Sequence, residues 1–167
     1  MTIDKITKFL GLPAQNIEFD KYLATHGISH RPVFRETPVD RISLESSGLS
    51  LVFDTAGLYE EMYGPLSEKG SMIFSELQIY GAVNDSGFEQ YPGPLPYGLS
   101  FKSTSAEAIN IFGSPTVSHT YGEQRSLVWY DYDGNTIGIT FLQEDQGISW
   151  LGLSKAAKKP PEQDDWD

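Results

Sequence analysis

Apolar residues in the first 26 positions recur at the spacing of an α-helix. Four of them share one face of a predicted helix over residues 2–10, namely Ile3, Ile6, Phe9 and Leu10. Gly11 and Pro13 end this helix, because glycine often follows the last helical turn and proline cannot continue it. A second helix is predicted over about residues 16–26, with Gly27 as its terminator.

From residue 40 onward, apolar and polar residues alternate, and this alternation predicts strands with one buried face. The first two strands form a hairpin around residues 46–48, and a third runs over 72–82. Residues 55–70 are predicted to be a loop because they contain Gly57, Gly64, Pro65 and Gly70. Three more strands are predicted over residues 126–131, 136–142 and 148–153.

The chain between the two groups of strands predicts a connector followed by a capped helix. Residues 84–97 are rich in proline and glycine, which is typical of a surface connector. Thr104 and Glu107 have the spacing of a capping box, and the helix that they begin ends at Gly113 and Pro115. The last residues, 155–167, contain two adjacent prolines and mixed charge and are predicted to be a flexible tail.

These elements predict an α+β fold, with short helices packed on an antiparallel sheet in a single domain over residues 1–154. A Gly-x-Pro segment at Gly11 is echoed at Gly113, and alternating strands ending in Phe53 and Phe141 follow them. One interpretation is two tandem helix–meander repeats, 1–83 and 98–154, joined by the linker 84–97. The alternative is that Gly-x-Pro is common helix-stop chemistry.

The charge balance excludes several classes of function. The chain has 12 Lys and Arg against 23 Asp and Glu, with a net charge of −11. A nucleic-acid binder needs a basic surface, and an anionic membrane would repel this chain, so neither partner is expected. The chain has no cysteine, which removes disulfides, thiolate metal ligands and cysteine nucleophiles.

The location expected from the sequence is cytoplasmic. Asp4, Lys5 and Lys8 interrupt the N-terminal apolar residues, so they do not form the core of a signal peptide. No apolar run approaches the roughly 18 residues that a membrane-spanning helix needs.

Motifs for catalysis and metal binding are weak, so we predict a protein that is not an enzyme and has no cofactor or metal. His26 and His30 have metal-ligand spacing, but Gly27 and Pro32 disfavour a helix there. Residues 131–135 read as a hairpin turn rather than a calcium loop. Two alternatives stay open: a non-catalytic adaptor module, and a small cytoplasmic hydrolase whose acid/base pair comes from Asp54, Glu76, Asp131 and Asp133.

Negative charge and tyrosine occur together in the strand-forming segments. Residues 44–91 contain eight acidic side chains and one basic side chain, and residues 103–154 contain six and one. Eight of the nine tyrosines also lie beyond residue 58. Tyrosine provides rigid contact area and carboxylates steer association, so this combination favours a surface that meets a basic protein. The alternative is that these are solubilising charges and half-buried strand tyrosines.

One stretch of sequence resembles a known family. Leu95-Pro-Tyr-Gly98-Leu-Ser-Phe101 is followed by the capped helix, Phe112-Gly-Ser-Pro115, Val128-Trp129-Tyr130 and Ile137-Gly-Ile-Thr-Phe141. Residues 91–153 thereby resemble immunity proteins of bacterial polymorphic-toxin systems, of the contact-dependent inhibition or type VI effector type. The helix–meander unit is also similar to small outer-membrane assembly lipoproteins and a beta-lactamase inhibitor. The absence of a signal peptide and lipidation cysteine favours the cytoplasmic immunity family.

The resemblance implies a protein that binds a cognate toxin domain and blocks its active site or substrate-binding surface. For a nuclease-type toxin with a basic cleft, an acidic inhibitor would occupy the place of phosphate groups. We expect the contact surface to combine acidic side chains with tyrosine anchors. The predicted contact residues are Asp54, Tyr59, Glu60, Glu61, Tyr63, Glu76, Tyr130, Asp131, Tyr132 and Asp133.

Overall fold

The computed structural model describes residues 1–158, so residues 159–167 of the predicted tail lie outside the described part. The α-helices are α1 Ile3–Ile6, α2 Ile17–Thr25, α3 Ala56–Tyr63 and α4 Ser105–Phe112. The strands are β1 Val39–Leu44, β2 Leu49–Thr55, β3 Met72–Tyr80, β4 Val117–Tyr121, β5 Gln124–Tyr132, β6 Asn135–Phe141 and β7 Ile148–Lys155. Short 3-10 turns lie at Thr7–Phe9, Glu45–Ser47, Pro96–Gly98 and Gln143–Asp145.

All seven strands form one antiparallel sheet in the order β1-β2-β3-β7-β6-β5-β4. This architecture confirms the predicted α+β class. The two meanders meet where β3 pairs with β7 between Leu77–Tyr80 and Trp150–Leu153. Outward from this pair, one meander continues through β2 and β1 and the other through β6, β5 and β4. The tandem repeat stays a prediction, since the first Gly-x-Pro segment precedes α2 whereas the second leads directly into β4.

The hydrophobic core lies between one face of the sheet and the helices α1, α2 and α4. Phe19 of α2 packs against Phe53 of β2 and Phe74 of β3, with ring centroids 6.0 Å and 5.4 Å apart. At the other end of the sheet, Phe112 of α4 packs 5.0 Å from Trp129 of β5. Three of the four α-helices in residues 1–158 therefore cover the same face, and these described residues place no helix over most of the other face.

The predicted loop over residues 55–70 is wrong in its first half, because Ala56–Tyr63 forms α3. Helical spacing is present at Leu58, Tyr59, Met62 and Tyr63. A loop was predicted instead because of Gly57 and the nearby Gly64-Pro65. Glycine is unfavourable inside a helix by about 1 kcal/mol relative to alanine. Here α3 contacts β2 and β3, and this packing compensates for the low propensity.

The structure also adds an edge strand that the sequence pattern did not predict. β4 is mostly exposed and polar, so it lacks the alternation that marks a half-buried strand. Asp133 and Gly134 both have positive φ, of 52° and 78°, in the turn between β5 and β6. This is the conformation of the tight hairpin turn that the Asp-Gly pair predicts.

The linker and the start of the tail are held by hydrogen bonds. In the linker 84–97, the Tyr91 amide donates to the Tyr80 carbonyl at 2.9 Å, and the Tyr91 side chain is buried. After β7, the Ala157 amide donates to Tyr130 and the Lys158 amide donates to Met62. Residues 157 and 158, at the start of the predicted tail, are therefore hydrogen-bonded to the rest of the domain.

The N-terminus of α4 is held by two separate groups. The capping box predicted at Thr104 and Glu107 is confirmed by reciprocal hydrogen bonds of 3.1 Å and 3.3 Å. The Asp145 carboxylate, from the turn between β6 and β7, accepts from the amide and hydroxyl of Ser105, each at 2.8 Å. A carboxylate also interacts favourably with the helix dipole at this end. Asp145 thus ties α4 to the β6–β7 turn.

We expect Asp145→Ala to lower the free energy of unfolding by about 1–2 kcal/mol, because the variant leaves two donors of Ser105 without their carboxylate partner. Urea unfolding followed by circular dichroism measures the change. Glu123→Ala is the control, since Glu123 is an exposed carboxylate in the β4–β5 turn and is expected to change stability by less than about 0.5 kcal/mol. Equal effects in the two variants would contradict the role of Asp145.

Candidate functional site

The sheet face opposite α1, α2 and α4 carries a mixture of aromatic, acidic and small side chains. We call it the open face. It is defined by residues at paired positions across the sheet and by Tyr130 of β5; the paired residues are Arg41, Val52, Glu76, Gln78, Trp150, Gly152, Gly138 and Val128. α3 lies against β2 and β3, and its last residue, Tyr63, reaches the same region.

A cavity of about 470 Å³ lies on the open face, and we call it the open-face pocket. Its lining comes from α3, from β3, β5, β6 and β7, and from the segment after β7. The lining residues are Glu61, Met62, Tyr63, Glu76, Val128, Tyr130, Thr136, Gly138, Trp150, Gly152, Ser154 and Ala157. This set contains two carboxylates and three large aromatic side chains and no Lys or Arg.

Two glycines form the floor of the open-face pocket. Gly138 of β6 and Gly152 of β7 lie directly opposite each other in the sheet. A Cβ atom on Gly152 would lie 2.7 Å from Oε1 of Glu76, so the Glu76 carboxylate lies over this glycine. A Cβ on Gly138 would come no closer than 3.9 Å to the Val128 side chain. The backbone of β6 and β7 therefore forms the floor of the pocket.

A β-bulge turns Glu76 toward the open face. Val52 lies opposite Glu76 whereas Phe53 lies opposite Phe74, so β3 contains one extra residue at this point. In a regular strand, residues two apart share a face, and Glu76 would follow Phe74 into the core. Instead Phe74 and Leu77 both belong to the core. The bulge thus places a carboxylate in the pocket without burying it among the core side chains.

The surroundings of Glu76 disfavour the ionised form of its carboxyl group. Burial raises the pKa of Glu76 above its usual value, while a hydrogen bond with Gln78 and the charge of Arg41 act in the opposite direction. Arg41 itself donates to Oε1 of Gln78 at 2.7 Å, and the Tyr80 hydroxyl donates to the same oxygen at 2.8 Å. The salt bridge found within residues 1–158 joins Arg31 to Asp20. Glu76 therefore forms no salt bridge with a described residue.

Two neighbours of Glu76 are also perturbed by burial. Burial raises the pKa of Asp54, with the charge of Arg41 opposing it. Burial raises the pKa of Tyr63 to about 12, and hydrogen bonding with Ser154 opposes this shift. The negative charges of Glu76 and Asp54 contribute further to the raised pKa of Tyr63. A positively charged group of a binding partner would therefore interact favourably with the part of the open face that holds Asp54, Tyr63 and Glu76.

The structure brings four of the ten predicted contact residues together, since Glu61, Tyr63, Glu76 and Tyr130 all line the open-face pocket. Glu60 is exposed on α3 beside them. Asp54 and Tyr59 are close in the fold but only 7% and 5% exposed, which leaves them little surface for a partner.

The other three predicted contact residues lie apart from the pocket. Asp131 and Asp133 are exposed in the β5–β6 hairpin. The ring of Tyr132 packs 4.8 Å from Phe112 and 5.4 Å from Tyr97, with α4 on the side of the sheet that holds the core. Tyr132 therefore contributes to packing.

The carboxylate pair of the hydrolase alternative is not assembled in the pocket. Of the four residues proposed for it, Glu76 lines the pocket, whereas Asp54, Asp131 and Asp133 do not. Among the described residues, no three His, Asp or Glu side chains come together in a group able to hold a metal ion. No helix in residues 1–158 has the length and apolarity to cross a membrane.

Eight of the twelve lining residues were not predicted from the sequence, and three of these form the floor or an aromatic wall of the pocket: Gly138, Gly152 and Trp150. Glycine inside a strand often marks a place where another group approaches the backbone closely. The presence of such a glycine in each of two neighbouring predicted strands could therefore have indicated this site. Their direct pairing, however, depends on the register between β6 and β7.

Comparison with known proteins gives one structural neighbour. No protein-family model matches the chain, and no curated protein matches it in sequence. The chain is similar to the crystal structure of a DUF4309 family protein (YjgB) from Bacillus subtilis subsp. subtilis str. 168. The two share 14% identity over 91% of each chain, with a TM-score of 0.44.

We expect Glu76→Gln to raise the free energy of unfolding at pH 7 by about 1 kcal/mol, because it removes a poorly solvated charge. With its pKa higher in the folded protein than in the unfolded chain, Glu76 makes the protein less stable as pH rises from the unfolded pKa through the folded pKa. The variant loses this part of the pH dependence. Thermal unfolding between pH 4 and 8 measures it, with Glu123→Gln as the control. Destabilisation by Glu76→Gln would show instead that Arg41 and Gln78 outweigh the desolvation.

Proposed function

We propose that this chain is an immunity protein that binds a basic toxin domain and blocks its active site or substrate-binding surface. The observation that carries the proposal is the open-face pocket, whose lining within residues 1–158 has two carboxylates, three aromatic side chains and no basic side chain. Aromatic side chains are typical anchors of protein interfaces, and carboxylates select basic partners. The resemblance of residues 91–153 to immunity proteins supports the same function.

The proposed contact surface has two parts with different tasks. Glu60 and Glu61 on α3 lie at the surface, where charge accelerates the approach of a basic partner. Tyr63, Tyr130 and Trp150 line the open-face pocket, where they provide rigid contact area after docking. In this proposal the protein acts in the cytoplasm and carries out no chemistry.

Inhibition would follow from occupation of the basic surface that the toxin uses for its substrate. A nuclease-type toxin binds phosphates through Lys and Arg side chains. The acidic residues of α3 and the open face would pair with those side chains and exclude the nucleic acid.

Co-expression with a basic toxin domain encoded immediately upstream tests the proposal, which loses most of its support if the neighbouring gene encodes no such domain. We expect the chain to restore growth of cells that produce the toxin and to form a stable complex with it, measured by calorimetry. The catalytically inactive toxin is used for the binding measurement, so that toxicity does not limit its preparation. If the purified pair shows no binding and growth is not restored, the proposed function is wrong.

A further inference from the structure

The aromatic side chains of the open-face pocket line the same cavity as a carboxyl group that has no salt bridge within residues 1–158. Tyr63, Tyr130 and Trp150 line the same cavity as Glu61 and Glu76. The faces of aromatic rings attract cations, and tryptophan and tyrosine are the strongest such groups in proteins. A cation in this pocket would therefore meet both ring faces and carboxylates.

The pocket floor allows a long side chain to reach Glu76. Because Gly138 and Gly152 have no side chains, the backbone of β6 and β7 forms the bottom of the cavity beside the Glu76 carboxylate. The cavity of about 470 Å³ has room for one extended side chain. It is too small to accept a folded element of a partner.

The charge of the pocket decides which side chain it fits. Glu76 is partly buried and has no salt bridge within residues 1–158. The lining contains no basic group, and Lys158, which follows the lining residue Ala157, lies with its side chain against Gly64. A cationic side chain from outside would give Glu76 a salt bridge, which Arg41 does not form because it donates to Gln78.

We propose, building on the function proposed above, that the open-face pocket receives a single arginine side chain of the partner protein. Arginine fits better than lysine because its planar guanidinium stacks on aromatic rings while its N–H groups donate to a carboxylate. Glu76 accepts from the guanidinium, and Trp150 and Tyr130 provide the stacking faces. The pocket is thus the specificity-determining part of the contact surface, whereas Glu60 and Glu61 provide general attraction.

Titration of the full-length protein with N-acetyl-arginine amide tests the pocket without any toxin. The probe's neutral isostere, N-acetyl-citrulline amide, is the matched ligand control. The readout is the nuclear magnetic resonance signal of the Trp150 indole N–H, assigned with Trp150→Phe. The Trp129 indole is the internal reference, because it donates to the Gly113 carbonyl at 2.9 Å on the core side of the sheet.

We expect a saturable shift of the Trp150 signal with the arginine probe and binding of the citrulline probe that is at least about tenfold weaker. Glu76→Gln should weaken binding of the arginine probe by about tenfold while Glu123→Gln leaves it unchanged. Gly138→Ala should also weaken it, because its methyl group enters the pocket without a close clash or a strained backbone. Unchanged thermal unfolding of Gly138→Ala would show that its fold is intact.

Several results would overturn the inference: equal binding of the two probes, no saturable shift of Trp150, or full affinity in Glu76→Gln. The toxin experiment is separate. Toxin binding that is insensitive to Glu76→Gln and Gly138→Ala would reject the arginine pocket while leaving the proposed function in place. If the probe binds at Trp150 but the toxin does not bind, the cation pocket is supported. The proposed function and its protein partner are then rejected.

Discussion

The double variant Glu60→Lys/Glu61→Lys is expected to associate with a basic toxin domain at least about tenfold more slowly than the unchanged protein. Both side chains are exposed on α3, where Glu61 lines the open-face pocket and Glu60 lies next to it. Their reversal replaces local attraction by repulsion during the approach of the partner. Dissociation should change less, because the anchors Tyr63 and Tyr130 are retained. Stopped-flow measurements at several salt concentrations provide both rates, and the association rate of the variant should depend less on salt.

A matched reversal separates local charge from net charge. Asp85→Lys/Glu89→Lys changes the net charge by the same amount, and both side chains are exposed in the linker 84–97. This linker packs near Tyr80 at the far end of β3, where Phe88 stacks on Tyr80 at 4.0 Å. Equal slowing in both double variants would show that net charge alone steers the partner and would contradict the assignment of α3.

Phe74→Ala is expected to lower the free energy of unfolding by about 3–5 kcal/mol, the range for a large aromatic side chain removed from a packed core. Phe74 is fully buried, and its ring lies 5.4 Å from those of both Phe19 and Phe53. Its backbone also joins the N-terminal segment to the sheet, since the Gly11 amide donates to the Phe74 carbonyl at 2.8 Å. Truncation leaves a cavity where α2, β2 and β3 meet.

Urea unfolding measures the effect of Phe74→Ala. Met62→Ala is the control, because Met62 is a large apolar residue that is 42% exposed on α3. Its truncation should change the free energy of unfolding by less than about 1 kcal/mol. A similar small effect for Phe74→Ala would contradict the placement of this ring at the centre of the core.

Local sequence patterns predicted most of the elements on the core side of the sheet. The spacing of Thr104 and Glu107 predicted the start of α4, and both hydrogen bonds of the capping box are present. The Asp-Gly pair at residue 133 predicted the β5–β6 turn. The α3 helix and β4 were not predicted, because α3 contains Gly57 and β4 has no buried face. β4 depends on its pairing with β5, and α3 depends on its packing against β2 and β3.

The candidate site was less predictable from the sequence than the secondary structure was, because it depends on tertiary structure. The sequence indicated that acidic residues and tyrosines occur together, but their separation along the chain gave no information on which of them meet. Tyr63 and Tyr130 line one pocket although 66 residues separate them, whereas Tyr132, two positions after Tyr130, packs against Phe112. A register shift in the β5–β6 ladder between Trp129 and Tyr132 accompanies this change.

By itself, the sequence determined the α+β class, the ends of α2 and α4, the hairpin turns and the acidic character of the chain, because each of these depends on neighbouring residues or on composition. The tertiary structure decided the open-face pocket. Strand order placed α3, β3, β5 and β7 around one cavity, strand register paired Gly138 with Gly152, and a single bulge turned Glu76 out of the core. Strand pairing joins residues that are far apart in the chain, and a shift of one residue reverses the face that a side chain occupies.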